Sequence, residues 1–238
     1  MIVGIVGDIH EPFVHPLYME FCSDIFSEYN VDRVHFAGDV VDHHYLGSWD
    51  TDPSGHGGMR EADLASEGIE KWYKRFPKAS VSVGNHDIRH LMQAKRGGIT
   101  PERYIRPYNE IWSTYGWDWQ MEHRFDSVVY EHGTGSSGEH GAHKRANKRR
   151  CSLVMGHIHS GGGVQYCTGP TDRIFALNVG CGIDISAYAF EYGKQHPTRE
   201  TLGCGVVIDG VHAIFEIMPC GPKEKYRKPR AKGKRARR

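Results

Sequence analysis

Five times along this 238-residue chain, a short apolar run ends in residues that a buried strand end cannot leave unpartnered. They are Asp8-Ile9-His10 after Met1–Val6, Gly38-Asp39-Val40-Val41-Asp42, Gly84-Asn85-His86-Asp87, His132-Gly133 and Gly156-His157-Ile158-His159. Short, β-branched runs of this kind read as buried strands. A carboxylate at such an end costs several kcal/mol unless something pairs with it. The partner is an arginine, a helix N-terminus or a metal ion, and the rest of the chain has to decide between them.

The length suits one sizeable core, and the 39% apolar and 25% charged content is that of a soluble globular protein. No apolar run reaches the roughly 18 residues of a membrane span. The N-terminus shows neither a basic leader nor a small-residue cleavage site. Six cysteines (Cys22, Cys151, Cys167, Cys181, Cys204 and Cys220) form no C-x-x-C pair, so the expectation is reduced core thiols in a cytoplasmic protein. The net charge of +1 is uneven: Gly221–Arg238 holds ten Lys or Arg against one Glu, +9, which leaves residues 1–220 at +1 − 9 = −8. An acidic body suits cations and a basic tail suits a polyanion. The tail has little to bury and is expected to be disordered on its own. The domain reading is therefore a body over 1–220 and a tail over 221–238. The 16 histidines are many for this length, and histidine is the commonest metal ligand.

Between the strand ends, spacing predicts a helix over Pro16–Tyr29, with Leu17, Phe21, Ile25 and Tyr29 on its inner face, flanked by Tyr18, Cys22 and Phe26. A strand is expected at Arg33–Ala37, then a glycine-rich loop over Gly47–Gly58. A second helix follows, carrying Ala65, Ile69, Trp72, Tyr73 and Phe76. Ser80–Val83, Ser127–Tyr130 and Leu153–Met155 read as further strands. Residues 88–123 read mostly as helix and aromatic loop, and "EHGAHKRANKRR" as a basic helix. From there to about Met218 the chain looks strand-rich. The alternation indicates an α/β layered fold with its polar residues at the C-terminal strand ends.

Taken together, the five motifs resemble those of the calcineurin-like metallophosphoesterase family, and the resemblance runs across residues 1 to about 218. It implies a four-layer α-β-β-α sandwich of two mixed sheets. It also implies hydrolysis of phosphate esters by a bridging hydroxide at a dinuclear centre, two metal ions activating water and neutralising the transition state. Carried over position by position, Asp8, His10 and His159 would hold one ion and Asn85, His132 and His157 the other, with Asp39 bridging. His86 would face the substrate and serve the leaving oxygen, with Asp42 orienting it. Oxygen and nitrogen donors without thiolate suit Mn first, with Fe, Zn or Ni as alternatives.

The resemblance stops short of a substrate. Protein phosphatases of this family carry "GDxxDRG"; here His43 follows Asp42, so the arginine is missing. The layout is closer to short bacterial and phage phosphoesterases. Phosphodiesters such as nucleic acid or nucleotides are favoured over monoesters because the basic tail suits a polyanion. A general phosphomonoesterase is the alternative, and a non-catalytic nucleic-acid-binding module is disfavoured because no ligand position has been lost. No membrane partner is expected. Asp87 reads as a carboxylate that takes backbone hydrogen bonds. Arg89 reads equally well as a phosphate contact and as a surface arginine. His43 and His44 read as substrate-facing or as solvated loop, and Tyr188 and Tyr192 as core rather than cover. His56, His90, His123, His140, His143, His196 and His212 read as ordinary surface or core histidines.

Overall fold

The computed structural model describes residues 1–47, 55–187 and 199–219. Tyr188, Tyr192, His196, Cys220 and the basic run 221–238 lie outside the described residues. The six-stranded sheet has the order β11-β10-β1-β2-β3-β4, with β1 Ile2–Val6, β2 Arg33–Phe36, β3 Ala79–Ser82, β4 Trp117–Gln120, β10 Gly203–Ile208 and β11 His212–Ile217. β1 to β4 are parallel, and β10 and β11 run antiparallel. The five-stranded sheet has the order β5-β6-β7-β9-β8, from β5 Glu122–Phe125, β6 Val128–Glu131, β7 Leu153–Met155, β8 Gly163–Thr168 and β9 Arg173–Asn178. Here β6, β7 and β9 are parallel, and the two edge strands antiparallel.

Period-two alternation makes both sheets double-sided. Val3 and Ile5 of β1 meet Val128 and Tyr130 of β6, Val154 of β7 and Phe175 and Leu177 of β9 in the core between the sheets. The intervening residues face outward. Val6, Phe36 and Val81 pack under α1 Tyr18–Tyr29 and α2 Gly58–Arg75. Val129, Leu153, Met155 and Ala176 pack under α6 Gly141–Arg149. The result is the four-layer α-β-β-α sandwich of two mixed sheets.

Two elements differ from the sequence reading by more than a single end residue. α1 begins at Tyr18, so Pro16 precedes the helix, and the inner face is Tyr18, Phe21, Cys22, Ile25 and Phe26 while Leu17 is exposed. The Tyr18 hydroxyl decides this: it donates to Gly203 O at 2.6 Å and accepts from Gly7 N at 2.9 Å, which turns the helix toward β1 and β10. Residues 117–125 form β4 and β5 rather than loop. Trp117 is buried against Phe36 with ring centroids 4.6 Å apart, and that packing closes the edge of the six-stranded sheet. The five cysteines among the described residues are free thiols. Among the described residues, no helix is long and apolar enough to cross a membrane.

Trp72 anchors the helical layer. It is fully buried against Tyr18 and Phe36, and its indole N–H donates to the buried Glu11 Oε1 at 2.9 Å. Trp72→Ala is expected to cost about 3–5 kcal/mol, from the cavity and the stranded Glu11 carboxyl. A urea-unfolding midpoint unchanged from the parent would contradict this account of the core.

Candidate metal centre

Each polar segment leaves the C-terminal end of a parallel strand: Asp8 and His10 after β1, Asp39 and Asp42 after β2, Asn85 to Asp87 after β3, His132 after β6, and His157 and His159 after β7. The two sheets therefore face each other across this rim, three strands of one and two of the other. His10, Asp39, His43 and His157 have φ between 44° and 67°, left-handed backbone that costs a non-glycine residue of order 1–3 kcal/mol. Strain of that kind gathers at functional sites.

The loops meet through glycine. A methyl group on Gly84 would overlap Asp39 Oδ1 and one on Gly156 would overlap Asp8 Oδ1. Gly38, at φ +114°, holds its Cα against the His132 ring. These motif glycines let each carboxylate or imidazole sit directly on the backbone of another loop.

Three groups of side chains have ligand atoms within 4.8 Å of one another: Asp8, His10 and His159; Asp39, His132 and His157; and His10, Asp39 and His86. Asp39 joins them. Its Oδ2 lies 3.6 Å from His10 Nε2 and 3.1 Å from His132 Nε2, while Oδ1 accepts the His86 backbone N–H at 2.8 Å. Asn85 Oδ1 lies 3.0 Å from His132 Nε2, and His157 Nδ1 3.2 Å from the same atom. Asp8 Oδ2 accepts from His157 N at 2.7 Å and faces His159 Nε2 at 3.1 Å. All seven side chains singled out as ligands thus converge. His86 joins a metal-capable group as well, a placement the motif reading did not give it.

Four carboxylates line this rim at 0–2% exposure: Asp8, Asp39, Asp42 and Asp87. Burial works against ionised Asp39, yet His132 and His86 beside it hold its carboxyl well below the ordinary range. Burial likewise opposes charge on His132, but Asp39 and Asp8 lift its imidazole to about 10. Positive charge is thus demanded at the point where the carboxylates meet. Asp8 Oδ1 is buried and accepts no hydrogen bond among the described residues. An oxygen left in that state, among imidazole nitrogens and carboxylate oxygens with no thiolate, fits a divalent cation.

The second layer fixes which nitrogen each imidazole presents. A carboxylate or carbonyl oxygen only accepts, so the histidine nitrogen beside it carries the proton. His10 Nδ1 donates to Asp42 Oδ1 at 2.6 Å and His132 Nδ1 to Ala37 O at 3.1 Å, which turns Nε2 of both inward, where a cation would take the place of a proton. His86 Nδ1 donates to the Asp42 carbonyl at 2.8 Å, with Asp42 Oδ1 at 3.2 Å. Asp42, assigned to His86 from the motif, thus makes its shorter carboxylate bond to His10. His43, its ring buried, donates from Nδ1 to His86 O at 3.0 Å, and so supports the loop.

The sequence profile of the calcineurin-like phosphoesterase family matches residues 1–186. The chain belongs to that family. Calcineurin-like phosphoesterases are hydrolases of phosphate esters that use divalent metals, and the Asp and His clusters are where this member could hold them. No curated protein matches the chain. Among solved structures it is similar to Vacuolar Protein Sorting 29 from Cryptosporidium parvum, at 12% identity and TM-score 0.42 over 91% of this chain and 95% of that one. It is similar to YfcE, a phosphoesterase from E. coli, at 14% identity and TM-score 0.39 over 87% and 88%. Pseudomonas putida nuclease MPE is similar at 11% identity and TM-score 0.40 over 90% and 86%. At these values the likenesses say nothing of activity.

Two residues of this phosphoesterase matter more than their motifs indicate. Asp87 is fully buried and accepts from Val40 N at 2.9 Å, Val41 N at 3.1 Å and Gly84 N at 2.8 Å. It clamps the loop carrying Asp39 to the one carrying Asn85. Arg89 donates from Nη1 to Asp42 O at 2.9 Å and His43 O at 3.2 Å, and its Nη2 lies 3.1 Å from His86 Nε2. Its place three residues after His86, across the turn closed by the Arg89 N–H donating to His86 O at 3.1 Å, is the signal that puts it there.

Proposed function

We propose that this calcineurin-like phosphoesterase is a dinuclear phosphodiesterase acting on nucleic acid or nucleotides. The observation behind it is Asp39 Oδ2, set between His10 Nε2 at 3.6 Å and His132 Nε2 at 3.1 Å, where one carboxylate can serve two neighbouring ligand groups. Asp8, His10 and His159 would hold one divalent ion and Asn85, His132 and His157 the other, with Asp39 shared and manganese the first candidate. Bound there, such ions supply a hydroxide nucleophile from water at neutral pH and neutralise charge developing on the phosphoryl oxygens.

The protein's own groups do the rest. His86 carries a proton on Nδ1, held by the Asp42 carbonyl, so its Nε2 is the atom that exchanges a proton with the leaving oxygen. Arg89, 3.1 Å from that nitrogen, orients it and carries a fixed positive charge toward the phosphate. Asp42 holds His10 in the tautomer that turns Nε2 inward. Support for the diester reading comes from the sequence: His43 stands where the family's protein phosphatases carry arginine, and the run over 221–238 brings +9 of charge.

Turnover of bis-p-nitrophenyl phosphate and of p-nitrophenyl phosphate, each with Mn, Ni, Mg or chelator, tests this. Faster Mn-supported turnover of the diester, abolished by chelator, is expected. A faster monoester rate would move the function to phosphomonoesterase. Turnover that survives in chelator would overturn the metal-dependent reading.

A further inference from the structure

Of the basic stretches within the acidic body, two are treated by the structure in opposite ways. In and just after α6, Arg145 pairs with Glu131, Arg149 with Glu131 and Glu122, and Arg150 with Asp172. Those guanidinium groups are committed to holding the helix on its sheet. The other stretch is residues 89–106, which covers α3 Arg89–Arg96 and the short helix α4 Pro101–Tyr104. It carries Arg89, Lys95, Arg96, Arg103 and Arg106 against Glu102 alone, 5 − 1 = +4. Lys95 Nζ lies 4.0 Å from Glu102, but Arg96, Arg103 and Arg106 are exposed and form no ion pair among the described residues.

This arm begins inside the metal centre. Arg89, its first residue, touches His86, Asp42 and His43, and no residue of α3 is fully buried. Gln93 Nε2 fastens it to Leu46 O at 3.0 Å. At 1.5 Å per residue, Arg96 lies about 10 Å beyond Arg89 along the helix. That is the span of about three nucleotides of a stacked strand at roughly 3.4 Å each. Tyr104, 74% exposed, sits between Arg103 and Arg106. Cations interleaved with an exposed aromatic ring suit a polymer that offers both phosphates and bases. An acidic peptide matches the charge but brings no regular run of bases to stack.

We infer that the α3–α4 arm is the docking surface for a single nucleic-acid strand whose phosphodiester is presented to the metal centre. Arg96, Arg103 and Arg106 hold phosphates flanking the scissile one, and Tyr104 stacks on a base. This rests on the diesterase reading above, but it places polymer recognition on the folded body, beside the site, whatever the run over 221–238 contributes.

The test uses the full chain and a phosphorothioate-linked 12-nucleotide single strand, which resists hydrolysis. Fluorescence anisotropy gives Kd from 50 to 200 mM salt for the parent, for R96Q/R103Q/R106Q and for a control with equal charge loss, K78Q/K144Q/K148Q. Each single-strand phosphate contact contributes about 0.7 to the slope of log Kobs against log salt, so the arm variant should lose about 2 from the slope. It should also lose at least tenfold in affinity at 50 mM, with bis-p-nitrophenyl phosphate turnover within twofold of the parent. The control should keep the parent slope to within about one contact. Tyr104→Ala should weaken binding roughly fivefold to 150-fold without changing the slope. An arm variant that binds like the parent, or a control that loses as much, would overturn the inference. So would a Tyr104→Ala chain that binds normally while polyglutamate displaces the strand. Loss of diester turnover in every form, the parent included, with the binding differences intact, would count against the diesterase reading and leave the docking surface standing.

Discussion

Asp39→Asn is expected to strip this phosphoesterase of both metal and activity. Asparagine keeps the shape, and its side-chain oxygen still accepts the His86 N–H that Asp39 Oδ1 accepts at 2.8 Å. The change therefore falls on Oδ2, the oxygen between His10 and His132. If Asp39 is shared as proposed, losing its negative charge removes what both ion positions would depend on. Metal chemistry of this kind contributes several kcal/mol to the barrier. At about 1.4 kcal/mol per tenfold, turnover should fall by about 10³-fold or more. Metal analysis of the replete protein should fall from about two ions per chain to one or fewer. A variant that kept two ions and parental turnover would remove Asp39 from the bridging position.

His86→Ala separates the proton-handling role from the ligand role. If Nε2 serves the leaving oxygen, turnover should fall by roughly 10²–10⁴-fold while metal content stays at the parental value. The loss should be smaller for a nitrophenolate leaving group, which departs without a proton, than for an alkoxide, which needs one. The measurement is decisive because His86 also lies in a metal-capable group with His10 and Asp39. Loss of an ion together with activity would make His86 a ligand.

What the sequence discloses and what it conceals divide along physical lines. The converging residues were legible because each follows a short apolar strand directly, and a parallel sheet brings such strand ends to one rim. That inference places Asp39, Asn85, His132 and His157 at one rim, while their division into ligand sets follows from the family resemblance. The pairing of Asp42 with His10 did not follow, because it spans 32 residues and depends on how two loops cross. The clamp made by Asp87 became visible only once the Val40 and Gly84 amides stood beside it. β4 was missed because "WDWQ" reads as aromatic loop, and only Trp117 packing on Phe36 makes it a strand. On α1, Phe21 and Ile25 face inward as their spacing indicates, but Leu17 does not, because a hydroxyl bond from Tyr18 to Gly203, and not the apolar count, sets the helix's rotation.

The rim draws on both sheets, and so do the two ligand sets proposed for the ions. Asp8 and His10 come from the six-stranded sheet and His159 from the five-stranded one. Asp39 and Asn85 are matched in the same way by His132 and His157. An ion bound by either group would therefore act as a rivet across the sandwich seam. Separation of the two sheets would dismantle both ion positions at once, so loading and sheet docking become one linked equilibrium. A cation that binds the closed sandwich and not the open chain adds stability that grows with the logarithm of its free concentration. With the ions bound as proposed, catalytic readiness and resistance to unfolding would rise together with the supply of metal.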